Sequence, residues 1–122
     1  MIRACIVAFI MAGAVAMPAG AQDADTLASQ YLESADRSLQ DVTTAIDYYN
    51  DGIKDDACDS IRNARDDIRD TIALYGAAYT AVSNDTAMAA DDRAKLLEIL
   101  PGVQEKMNSL RDDATGYFLK MC

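Results

Sequence analysis

Between residues 25 and 50 the apolar positions Ala28, Tyr31, Ala35, Val42, Ala45 and Tyr49 recur at helical intervals, with Leu32, Leu39 and Ile46 beside them. That spacing places side chains on one face of an α-helix. Asp23, Asp25 and Thr26 offer amino-terminal caps, and Asp51-Gly52 offers a stop, because glycine accepts the left-handed backbone that ends many helices.

A second segment, over about 55–82, repeats more strictly. Cys58, Ile61, Arg65, Ile68, Ile72, Tyr75, Tyr79 and Val82 alternate steps of three and four, and only Arg65 interrupts the apolar set. A seam of this period suits left-handed packing against neighbouring helices. Ser83-Asn84-Asp85-Thr86 reads as the connection that follows.

The third segment, about 90–120, contains Pro101-Gly102. Proline lacks a backbone donor and crowds the preceding turn, so a break there would divide the segment and give a four-helix bundle. Against that alternative, Leu96, Leu100, Val103, Met107, Leu110, Ala114, Tyr117 and Met121 keep one phase on both sides of the proline. A turn has no reason to preserve that register. The pattern predicts one helix, kinked at Pro101, in an all-α, up-down-up antiparallel three-helix bundle.

Ahead of these segments, Ala4 to Met17 is an uncharged run behind Arg3, followed by Pro18 and the small residues Ala19-Gly20-Ala21. The run is too short for an ordinary transmembrane helix and has the form of a secretory signal. Residues 1–21 are therefore expected to be removed, leaving a single domain over 22–122, periplasmic or secreted, with no membrane attachment after cleavage. Loss of Arg3 takes the 11 basic residues to 10 against 20 acidic ones, so the net charge moves from -9 to -10. Such a charge disfavours nucleic acid and anionic membrane surfaces, both of which attract basic faces.

Cleavage also removes Cys5, leaving Cys58 and Cys122 in a route that leads to an oxidising compartment. In an up-down-up bundle, the start of the second helix and the end of the third lie at the same end of the molecule. The two cysteines occupy those points, and the midpoint between them falls at residue 90, in the second connection. An intramolecular disulfide in a monomer follows. A four-helix arrangement would instead place the sulfurs at opposite ends.

The chain has no histidine. That removes the commonest general base, the Ser-His and Cys-His nucleophile arrangements and the commonest zinc ligand. No glycine-rich phosphate loop or nucleophile elbow takes their place, so neither catalysis nor a cofactor is expected. The acidic residues divide into 17 Asp and 3 Glu, and clustered carboxylates suit hard divalent cations. The stretch Asp47-Tyr48-Tyr49-Asn50-Asp51-Gly52 resembles the start of an EF-hand loop, with Asp47, Asp51, Gly52 and Asp55 at its first, fifth, sixth and ninth positions. Tyr49 and Cys58 break the match at the third and twelfth, leaving Asp47, Asp51, Asp55 and Asp59 as a weak alternative metal set.

Arg62, Arg65 and Arg69 line one side of the second helix, where they could receive an anion or pair within the fold. Pairing would join Arg62 to Asp59 and Asp66, and Arg65 to a carboxylate of another helix. The tyrosines read as core residues with outward hydroxyls, and Gly76 as a point of close helix approach. These observations together describe an exported, non-catalytic helical bundle that binds another macromolecule, a protein or an envelope component. A small-ligand or divalent-cation binder is the alternative.

Overall fold

The computed structural model describes residues 19–122, with side chains from Ala24 onward. The expected signal segment lies outside the described residues except for Ala19 to Ala21, which open the first helix. Three helices follow one another: α1 (Ala19–Asn50), α2 (Lys54–Asn84) and α3 (Ala90–Met121). The fold is an all-α three-helix bundle, and α3 continues through Pro101 as one element.

The first connection shows why α1 stops where it does. Gly52 adopts φ of +80°, the backbone N–H of Gly52 donates to the Tyr49 carbonyl at 3.1 Å, and that of Ile53 donates to the Tyr48 carbonyl at 2.9 Å. These paired bonds satisfy the last carbonyls of α1 and reverse the chain within three residues. The second connection is organised by Asp85, whose Oδ1 accepts from the backbone N–H groups of Ala87 at 3.0 Å and Met88 at 3.2 Å. Arg93 Nη1 donates to the Asp85 carbonyl at 3.1 Å. Asp23, Asp25 and Thr26, expected as caps, lie inside α1, which begins at Ala19. The capping positions of α2 and α3 are Ile53 and Ala89, with Asp55, Asp56, Asp91 and Asp92 in the first turns, where their charge complements the positive end of the helix dipole.

Two apolar clusters fix the helix directions. One joins Ala24, Ala28, Tyr31 and Leu32 near the start of α1 to Ala78 and Val82 near the end of α2, to Met88 in the second connection, and to Leu96 and Leu100 in the first half of α3. The other joins Val42 and Ala45 to Ala57, Ile61, Ala64 and Ile68, and to Ala114 and Met121. Start, end and start share one pole, so each helix runs against its neighbour in sequence. Of the three pairs, α1–α2 is the most extensive and α1–α3 the slightest.

The predicted seam of α2 holds at Ile61, Ile68 and Val82, which are buried, but its alternate positions lie one residue over. Ala57, Ala64, Thr71 and Ala78 are buried with them, while Cys58, Ile72 and Tyr79 are half-buried beside them and Arg65 is exposed. The facing surface of α1 includes the small residues Ala28, Ala35, Ser38 and Ala45. Small side chains let two helices approach closely, so bulky neighbours are displaced to the rims, where they cover the seam. Gly76 takes no part in this approach, since it is exposed and no atom lies within 4 Å of where its Cβ would be.

A polar layer separates the clusters. Ser34, Ser38 and Thr71 are buried: the Ser34 and Thr71 hydroxyls hydrogen-bond across the helix pair, Ser38 Oγ donates to the Ser34 carbonyl at 2.9 Å, and Thr71 Oγ1 donates to the Asp67 carbonyl. Nearby, the Tyr31 hydroxyl donates to Gln104 Oε1 at 2.7 Å, and Gln104 Nε2 donates to the Ile72 carbonyl at 3.3 Å. Buried polar groups with partners avoid the cost of lost hydration and fix one register among the many that apolar contacts would allow.

Cys58 and Cys122 are disulfide-bonded, with Cα atoms 5.1 Å apart and a sequence separation of 64. Closing a loop of that length stabilises the folded chain by about 4 kcal/mol on the chain-entropy account. It joins the start of α2, one turn in, to the residue that follows α3.

Candidate functional site, the groove between α2 and α3

The three arginines singled out in the sequence lie along one groove. Arg62, Arg65, Asp66, Ile68 and Arg69 from α2, with Arg111, Thr115 and Phe118 from α3, line a surface cavity of about 570 Å³. Sequence reading found the α2 half and missed the α3 half. A signal for it was available, because 58 and 122 sum to 180 and residues of an antiparallel pair whose numbers share that sum lie at matching heights. Arg62, Arg65 and Arg69 thereby match Phe118, Thr115 and Arg111.

The arginines pair in part as expected. Arg62 pairs with Asp59 at 3.9 Å, but Asp66 turns to Arg69 at 3.6 Å instead of to Arg62. Arg69 also faces Asp70 at 3.6 Å, and Arg111 faces Asp112 at 3.7 Å. All these pairs are well exposed and longer than the 2.7–2.9 Å or so of charge-assisted hydrogen bonds, so each contributes little, of order 0–1 kcal/mol.

Arg65 departs further from expectation. It meets no carboxylate of another helix among the described residues. Its guanidinium lies over the Phe118 ring, 4.3 Å from the centroid, where the negative face of the ring attracts it. That contact uses none of its N–H donors in a hydrogen bond, so they remain available to an acceptor.

The acidic residues considered for metal binding stay apart. Asp47 is in the last turn of α1, Asp51 in the turn, and Asp55 and Asp59 in the first turns of α2, all exposed. The segment resembling a calcium loop is two helices and a three-residue turn, so its oxygens have no common centre. Among the described residues, no group of three or more histidine, cysteine or acidic side chains is placed to hold a metal ion.

Two other titratable features lie away from the groove. Burial, then a hydrogen bond to the Asp67 side chain and the like charge of Asp67, push the Asp41 carboxyl up to about 6, against the opposing pull of Arg37. Tyr31, Tyr75 and Tyr79 form a tilted array with ring centroids 5.7 and 5.6 Å apart. Burial holds the Tyr31 hydroxyl well above the usual phenol range, with a smaller contribution from Tyr75.

No protein-family model, curated protein or solved structure matches the chain. The α2–α3 groove therefore stands on its own geometry. It offers fixed positive charge and an aromatic wall.

Proposed function

We propose that the protein is an exported, non-catalytic binding module, acting as a monomer in the periplasm or outside the cell, whose α2–α3 groove engages another macromolecule. One observation carries this reading. Four of the six arginines in residues 22–122 line a single groove of a chain whose formal net charge is -9, and among the described residues none of the four donates a hydrogen bond to the protein's own side chains or carbonyls. Arg62, Arg69 and Arg111 have exposed carboxylates 3.6–3.9 Å away, pairs that add little stability and leave hydrogen-bond donors for a ligand.

The metal-binding alternative has no comparable support, because its four aspartates do not converge. Export itself is tested by intact-mass measurement of the cellular protein, which should begin at Gln22. The binding role is tested by affinity capture from the native envelope on immobilised domain, comparing wild type with an Arg65→Glu, Arg69→Glu double variant. The reading predicts a component retained by wild type and lost from the folded variant. Equal retention by both would contradict the groove as the binding surface.

A further inference from the structure

We infer that the groove recognises an acidic peptide segment of a partner protein, in which two carboxylates about three residues apart flank an apolar side chain. This rests on the binding role proposed above and names its ligand. The positive groups run from Arg62 to Arg69, about 10 Å along α2 at about 1.5 Å per residue, with Arg111 completing the far end from α3. An extended peptide covers that distance in about three residues. Arg65, held over Phe118, offers N–H donors to one carboxylate in a two-bond fork, a geometry that lysine cannot reproduce.

The remaining lining distinguishes a peptide from other anions. Phe118, half-buried, supplies apolar surface between the arginines above the buried Ile68, Asp66 can accept a hydrogen bond from a backbone N–H, and the Thr115 hydroxyl can accept another. A peptide brings carboxylates, an apolar side chain and amide donors together. Inorganic phosphate brings only the charge. A dense polyanion would meet Asp66 inside the groove and the repulsion of a chain with 20 acidic residues around it, a cost that falls as the ligand's charge density falls.

The test is fluorescence anisotropy with the disulfide-bonded domain and a fluorescein-labelled peptide of two Glu-Leu-Val-Glu repeats, against the same peptide with Gln for Glu. The glutamate peptide should bind at least about tenfold more tightly, since each bidentate charge-assisted contact is worth a factor of ten or more. Arg65→Lys, which keeps the charge and loses the fork, should weaken binding by about tenfold, and Phe118→Leu should weaken it by releasing Arg65. Circular dichroism confirms that each variant is folded, and Arg37→Lys, on α1 away from the groove, should bind as wild type. Equal binding of the two peptides, or affinity unchanged in folded Arg65→Lys, would overturn the inference. So would competition by inorganic phosphate or polygalacturonate at lower concentration than by unlabelled peptide, which would assign the groove to a different anion. If the peptide fails while capture from the envelope still depends on Arg65 and Arg69, the binding role stands and only the ligand class falls.

Discussion

The guanidinium of Arg65 rests on the ring of Phe118, 4.3 Å from its centroid, so the one charged residue on the predicted seam of α2 is held by an aromatic residue of α3. The contact does two things at once. It joins the helices near the disulfide end, and it presents an arginine edge to the groove.

A double-mutant cycle measures the first of these. Arg65→Ala and Phe118→Ala should each destabilise the domain in urea titrations, and together should show a coupling of about 0.5–1 kcal/mol, the range for exposed cation–aromatic pairs. Strict additivity would mean that the stacking is absent in solution.

The disulfide has the larger effect. Cys58→Ser should lower stability by about 2–5 kcal/mol, and peptide mapping of the unreduced protein should recover the Cys58 peptide joined to the carboxy-terminal one in a monomer. Two free thiols, or a bond only between chains, would contradict the pairing.

Asp41 gives stability a pH dependence of defined sign. Its folded pKa lies near 6, above the ordinary value of 3.8, so the folded state binds the proton more tightly than the unfolded state does. The resulting stabilisation is full below about pH 4 and is lost as pH rises through 6. Asp41→Asn cannot ionise at this position and should remove that part of the decline, which thermal melts of both proteins between pH 4 and 7.5 would reveal. Parallel melting curves across that range would contradict it.

Calcium should matter little. A site with a millimolar dissociation constant, at about 1 mM metal, adds only about 0.4 kcal/mol, and scattered exposed aspartates make no better site. Thermal melts with calcium or with chelator should therefore nearly coincide. A shift of many degrees at micromolar calcium would restore the metal reading.

Much of the fold was legible in the sequence, because helical periodicity is a strong signal and the unbroken phase from Leu96 to Met121 bridged Pro101. The first connection was legible too, since Gly52 supplies the left-handed turn, whereas the second begins later than Ser83, α2 running on to Asn84. The depth of the seam was not. The predicted seam holds at Ile61, Ile68 and Val82, but periodicity also put Cys58, Arg65, Ile72 and Tyr79 on it, whereas close helix approach buries Ala57, Ala64, Thr71 and Ala78, and approach distance is a property of two helices together. Ser38 was passed over for the same reason, because its burial depends on the Thr71 layer opposite. The groove was half legible: Arg62, Arg65 and Arg69 form a stripe on one helix, while Arg111, Thr115 and Phe118 join them only once the disulfide fixes the antiparallel register.

The most direct measurement of the central claim places a photo-crosslinking amino acid at Thr115, within the groove, and separately at Thr44, exposed on α1, in the protein expressed in its native envelope. The account predicts a discrete adduct from position 115 that disappears with Arg65→Glu, and none from position 44. An adduct from position 44 alone, or one from position 115 that persists with Arg65→Glu, would contradict it.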